Sequence, residues 1–417
     1  MAARLNPRRG LLLVASTVSL ALGIAAAVFD PSKIILFTVA GIAGLCASAW
    51  QLYRGLAVVP RLEVQTKVRD NHLRQMLPSR DEEADGFQLV CDSSVPSAAI
   101  LYSRHLNAHL RTAGADWPLE VDPAFGTALL ARLREQRTEV ESVLRYFGRK
   151  YIDRDFRNEP KLGFCSPVLT TAKSVRVFRT SYYEAFLTNE LCRARILLAE
   201  SEKPRVFFDL NYPATEHGDA RRLDELGTYP FANGLGVSVL GFTRDRHLVF
   251  WRQNARAMVA RGLLAPTGSG SCDWADYRPG DTLRATVLRA MHREFCEESL
   301  RRGVDPDNKV FLRSQLLAFF RNVYRGGKPE FVAIALLDVD YVHLIPNNAE
   351  VDRGLDEHQP LRHRQITSVM DLLEYLEAVL RSASARSQLS VPLWVGLMAL
   401  RDYCREDAQQ VAALLRL

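Results

Sequence analysis

No Cys-x-x-Cys pair occurs in this chain. Its seven cysteines, Cys46, Cys91, Cys165, Cys192, Cys272, Cys296 and Cys404, are scattered and odd in number. That excludes a disulfide framework and a cysteine-built zinc site, and it fits a reducing compartment. Internal repeats and low-complexity tracts are missing too, which removes repeat architectures and compositionally disordered segments. Nor is there a strong excess of one charge: 54 Lys and Arg against 48 Asp and Glu leave +6, with acids and bases intermixed. A protein that coats long nucleic acid carries far more positive charge than this.

What the chain does have, at its start, is two charge-free apolar runs, 10–29 and 34–52, separated by Asp30-Pro31-Ser32-Lys33. A helix crosses a bilayer with ~20 apolar residues, so the expectation is a two-helix transmembrane hairpin over residues 1–57. Arg4, Arg8 and Arg9 precede it and Arg54, Arg61, Lys67 and Arg69 follow, which places the N-terminus and the remaining chain on the cytoplasmic side. Ala25-Ala26-Ala27 offers the alternative of a cleaved signal peptide, whose apolar core usually spans only ~7–15 residues. Small residues recur every fourth position, at Ala15, Ser19, Gly23 and Ala27 and at Ala40, Gly44 and Ser48. Such stripes pair the two spans, or pair hairpins with each other.

Residues 58–86 are charged and lack apolar periodicity, which reads as a solvated connector or exposed helix. Helical spacing follows over 98–113 and 123–148, so 58–159 is expected to be a cytosolic connector and helical region. From about Lys161 the texture turns to short β-prone runs. Val237–Phe242 and His247–Arg252 form one hairpin around Thr243-Arg244-Asp245-Arg246, and 316–324 and 331–339 another around Gly326-Gly327. A strong helix over 282–302 lies between them, and Ser368-Val369-Met370-Asp371 opens a helical C-terminus with a capping-box pattern. Strands flanking a central helix make a mixed α+β domain over 160–417.

That central helix carries His292-Arg293-Glu294-Phe295-Cys296-Glu297-Glu298. Glu294, Glu297 and Glu298 stand at i, i+3 and i+4, on one face within one turn. Three like charges so close repel unless a cation lies among them. Carboxylate oxygens suit Mg²⁺ or Mn²⁺, which in turn bridge phosphates. The alternative is a solvated acidic face paired with Arg293, Arg301 and Arg302.

Arg293, Glu294, Phe295, Glu297 and Glu298, on a helix that follows a strand and the stretch from Gly262 to Ser271, resemble the Nudix box, Gly-x5-Glu-x7-Arg-Glu-(apolar)-x-Glu-Glu-x-Gly. The resemblance implies an α/β/α sandwich in which these three glutamates hold divalent metals during pyrophosphate hydrolysis. The chain departs from the box at Ala285, Pro279 and Leu300, which stand where the upstream Glu and the two glycines belong; Gly280-Asp281 comes four residues early, a shift that one added helical turn accounts for. With the apolar hairpin and the Ser-Gly stretch, the layout resembles the SMODS-associated Nudix proteins, membrane effectors of bacterial CBASS antiphage systems. That resemblance implies a protein of the inner membrane with two spans. Its Nudix-like domain would bind a cyclic oligonucleotide second messenger, and the chains would then associate and disrupt the membrane. The other function in view is an active Nudix hydrolase acting on a nucleoside-diphosphate derivative.

A cyclic oligonucleotide asks its pocket for Arg, backbone N–H groups and aromatic faces. Ser269 and Ser271 sit in a Gly-Ser run that either cradles phosphate or is a flexible loop. Arg179 and Tyr182 combine a guanidinium with a ring, or start a helix with a buried Tyr. Arg252 and Arg256 follow a strand and face the same cleft or solvent, and Arg293 completes the candidate set. Cys296, inside the acidic group, is expected to have a raised pKa and to be a poor nucleophile.

Overall fold

The computed structural model describes residues 61–112, 116–151, 156–199, 204–218, 220–254, 260–300, 310–347, 351–352 and 364–417. Residues 61–417 form one compact unit. Its largest sheet has nine strands: β1 (Phe87–Asp92), β2 (Ala98–Ser103), β3 (Gly236–Phe242), β4 (Leu248–Gln253), β5 (Leu264–Pro266), β6 (Gly268–Ser271), β7 (Phe311–Asn322), β8 (Lys328–Leu337) and β9 (Val351–Asp352). The order is β5-β4-β3-β8-β7-β2-β1, with β6 paired to β3 and β9 to β4. Strands β3 and β8 run parallel; every other pairing in this sheet is antiparallel.

Strand β8 shows why the sheet is covered on both sides. Phe331, Ala333, Ala335 and Leu337 belong to one hydrophobic cluster, and Val332, Ile334 and Leu336 to another. Alternate residues of a strand point to opposite faces, so a strand apolar on both needs a layer on each. One layer is helix α1 (Leu283–Ser299), which contributes Val287, Ala290, Met291 and Phe295. The other is α2 (Val369–Arg381) with α3 (Val391–Glu406), through Leu372, Leu376, Trp394, Leu397 and Leu400. Burying each such Leu or Phe contributes ~1.5–3 kcal/mol. Ser368 caps α2 by accepting from the Asp371 N–H at 3.1 Å. The β7–β8 turn runs through Gly326 and Gly327 at φ 62° and 73°, which glycine adopts without Cβ strain.

Several expectations are corrected here. The runs 10–29 and 34–52 lie outside the described residues, and among the described residues no helix is long and apolar enough to cross a membrane. The longest described helix, α1, has 17 residues and carries Arg284, Arg289, Arg293 and three glutamates. At 1.5 Å per residue it is short of a ~30 Å hydrocarbon core. A transmembrane hairpin joined through a helical connector to a sandwich is therefore not the fold class described; the described chain is mixed α/β with several sheets. The assignment to an inner membrane with two spans is withdrawn with it.

The helical spacing over 123–148 is met by helices Pro123–Glu135 and Arg137–Lys150, but the described residues from 61 to 159 belong to the same compact unit as the rest and also supply strands. Ala98–Ser103, expected as helix, is strand β2 and pairs with β7 inside the large sheet. A short apolar run has no period that distinguishes strand from helix. Leu62–Thr66 pairs with Ala194–Leu198, and the fully buried Glu82 receives Arg321 Nη1 at 2.8 Å. Helix α1 begins at Leu283 and ends at Ser299, so Gly280 and Asp281 precede it as expected, while its far end is three residues shorter than expected.

Candidate functional site

Strand β6 is Gly-Ser-Gly-Ser, and its glycines set the site. A Cβ on Gly268 would lie 2.7 Å from the Phe295 backbone, and one on Gly270 would lie 2.3 Å from the Glu294 carboxylate. Helix α1 therefore rests directly on the strand, closer than any side chain permits. The Gly-Ser run is a paired strand, registered Gly236↔Ser271 to Val239↔Gly268 on β3, rather than a flexible loop. The helix is fastened at its far end as well. Trp251 Nε1 donates to Ser299 Oγ at 2.7 Å, and that hydroxyl donates to the Thr267 carbonyl at 2.6 Å.

The close approach carries two of the three glutamates inside. Glu298 is 2% exposed and its Oε2 accepts the Ser269 N–H at 2.8 Å. Glu294 is 8% exposed. Burial pushes its carboxyl up to about 7, with the Glu297 charge adding to the rise and the Arg293 guanidinium opposing it. Glu297 is exposed.

Arg293 is the cation among them. Its Nη1 donates to Glu294 Oε1 at 3.0 Å and Glu297 Oε2 at 3.2 Å, and its Nε to Asp276 Oδ1 at 3.1 Å. Its Nη2 donates to Asp276 Oδ2 and to the Ser271 carbonyl, each at 2.9 Å. Burial opposes the charged guanidinium, but Asp276, Glu294 and Asp273 outweigh it and hold the pKa above the ordinary arginine value. A hard divalent cation needs several oxygens converging on one point. Here one carboxylate faces solvent, one is held by a strand N–H and one by Arg293. Among the described residues no group of three or more His, Cys, Asp or Glu side chains is arranged to hold a metal ion. The trio as placed does not fit Mg²⁺ or Mn²⁺.

Comparison with known proteins adds little to this geometry. No family model matches the chain, and no curated protein matches it. Several solved structures are similar over part of it, among them two of known source. DR0079 from Deinococcus radiodurans is 19% identical over 35% of this chain and 73% of its own, with a TM-score of 0.22. A bifunctional NMN adenylyltransferase/ADP ribose pyrophosphatase from Francisella tularensis, complexed with AMP and a Mn ion, is 15% identical over 41% of this chain and 42% of its own, with a TM-score of 0.25. Likeness this partial leaves the fold to be read from the strand order.

The structure gathers Glu294, Glu297, Glu298, Arg293, Ser269 and Ser271 around β6 and α1, as described above. Arg252 is not brought to them. It follows Trp251 on β4 and so points to the opposite face, where it donates to the Gly262 carbonyl at 2.7 Å and to Gln388 Oε1 at 3.3 Å. Arg256 lies outside the described residues. Arg179 is exposed on Val175–Ser181, next to Thr180, which pairs with Lys161. Tyr182 is half-buried at the start of a short helix; its hydroxyl pKa is raised by burial and by Glu190, with Arg325 opposing. Cys296 is pushed up to about 11, first by burial and then by Glu297.

Sequence reasoning missed Asp273 and Asp276, which pair with Arg293, and Lys161, which pairs with Asp273. Lys161 Nζ bonds Asp273 and, at 3.1 Å, Glu159. It also missed a buried group on the far side of β3: Lys328, Glu330, Asn322, Arg325 and Glu190. Lys328 and Glu330 stand two apart on one strand, the spacing that puts both on one face, and that alternation was the available signal.

Proposed function

We propose that this chain carries a nucleotide-binding domain of Nudix-like build that recognises a phosphorylated nucleotide without depending on a metal-driven hydrolysis. The observation that carries this reading is Arg293. Its guanidinium occupies the space between Glu294 and Glu297, while Glu298 is committed to the Ser269 N–H. Ala285, exposed in the first turn of α1, supplies no further carboxylate. The finer form follows the sequence resemblance: the ligand is a cyclic oligonucleotide messenger of an antiphage system, and its binding promotes association of chains.

Purified full-length protein titrated with cyclic di-, tri- and tetranucleotides should bind one of them, leave it chemically intact, and do so with or without Mg²⁺ or Mn²⁺. Sedimentation in the same samples reads the association. Metal-dependent cleavage of ADP-ribose would instead support the second reading, a working hydrolase. One observation favours that alternative: a buried carboxyl with a pKa of about 7 is matched to general acid–base work at neutral pH.

A further inference from the structure

Among the described residues, Trp117, Trp251 and Trp394 belong to the core, at 5%, 1% and 3% exposure, and the Trp251 indole N–H is bonded to Ser299 Oγ. Trp274 differs from them. It is half-buried, and its indole N–H has no partner among the described residues. Tyr277 stands beside it, with ring centroids 5.4 Å apart and ring planes at 48°. That ring is half-buried too, and its hydroxyl is likewise without a partner among the described residues. Both rings pack against the large core cluster, while Ala275 and Arg278 next to them are exposed. A Trp or Tyr enclosed for packing alone finds a bond for its polar tip; a seated ring with a free tip is the form these residues take at recognition surfaces.

The loop that carries the rings is fixed to the α1–β6 site by its other residues. Asp273, just before Trp274, pairs with Lys161 and with Arg293. Asp276, just before Tyr277, accepts from Arg293 Nε at 3.1 Å and Nη2 at 2.9 Å. Arg289 Nη1 donates to the Asp276 carbonyl and, at 2.6 Å, to Asp281 Oδ2. The rings are thus held in place without spending their own polar groups, and a surface ordered beforehand loses less entropy when it binds. Arg293 also donates to Glu294 and Glu297, so one guanidinium joins the ring-bearing loop to the acids of α1. Arg278 follows Tyr277, and its exposed guanidinium has no partner among the described residues.

We propose that Trp274 and Tyr277 are the stacking platform for a purine or pyrimidine base, with Arg278 as the donor to the phosphate attached to it. An aromatic face binds a base by stacking whatever its sequence identity, and a guanidinium offers paired donors to phosphate. The inference deepens the proposed function and rests on it for the complete ligand. The platform itself is testable with a simple nucleotide.

The experiment titrates the full-length protein with adenosine 5′-monophosphate, following calorimetry and tryptophan fluorescence together. The wild type should bind it with quenching of the indole emission, and ribose 5-phosphate, which lacks the base, should not quench. Trp274→Ala should weaken binding about tenfold. Trp274→Phe keeps a stacking face and should retain most of the affinity while losing the quench. Arg278→Ala should weaken adenosine 5′-monophosphate about fivefold and leave adenosine unchanged.

No saturable binding to the wild type, unchanged affinity in Trp274→Ala, or equal quenching in the wild type and Trp274→Phe would each overturn the platform. The phenylalanine variant decides the matter where the alanine variant fails to fold. A cyclic oligonucleotide bound equally by the wild type and Trp274→Ala removes the platform and leaves the proposed function. Adenosine 5′-monophosphate bound through Trp274, with no cyclic oligonucleotide bound, leaves the platform and removes the messenger reading.

Discussion

Glu294→Gln tests the electrostatics of the α1–β6 contact directly. The carboxyl rises from its ordinary 4.5 to about 7 on folding, because burial outweighs the attraction of Arg293. Below about pH 4.5 it is protonated in folded and unfolded chains alike, and it costs nothing. As pH climbs toward 7 the unfolded chain ionises first, so stability from this group falls; above 7 both forms are ionised and the loss is complete. At about 1.4 kcal/mol per pH unit, the full loss is ~3 kcal/mol. Glutamine keeps the shape and removes the titration. Urea unfolding of both proteins at about pH 5 and about pH 8.5 should show the variant gaining ~2–3 kcal/mol on the wild type across that interval. Titration of all other carboxylates cancels in the difference. Parallel stability curves would mean that Glu294 is already ionised in the folded protein, and that Arg293 rather than burial governs it.

Two further substitutions probe the packing. Gly270→Ala places a methyl 2.3 Å from the Glu294 oxygens and should cost ~1–3 kcal/mol in thermal or urea unfolding; combined with Glu294→Ala the loss should be smaller than the sum, which a double-mutant cycle measures. Glu82→Ala leaves the buried Arg321 unpaired and should cost ~3–5 kcal/mol within a single unfolding transition; a separate early transition for the segment near residue 82 would contradict its place in the same unit.

The acidic trio illustrates what spacing shows and what it leaves open. Positions i, i+3 and i+4 put the three carboxylates on one helical face, and the helix forms there. Their fates then diverge, because β6 approaches only part of that face: Glu298 meets a strand N–H, Glu294 is enclosed, and Glu297 stays in solvent. The close approach depends on Gly268 and Gly270, which composition alone reads equally well as a linker. Lys328 shows the same gap from the other side. A lysine after a Gly-Gly turn is ordinarily a surface residue, and it becomes an enclosed cation only because Gly236, ninety-odd residues upstream, pairs next to it.

By itself the amino-acid order determined the local pieces: the Gly326-Gly327 hairpin, the turn at 243–246, helix α1 and the Ser368 cap. Each depends on residues within a few positions of one another, so period and capping chemistry suffice. Only the tertiary structure decided that residues 87–103 join the large sheet, that Arg293 stands among the acids, and that Lys328 is enclosed beside Glu330. Those outcomes are set by which strands lie side by side and by what they bury, and contacts between residues tens to hundreds of positions apart leave no periodic trace in a single chain.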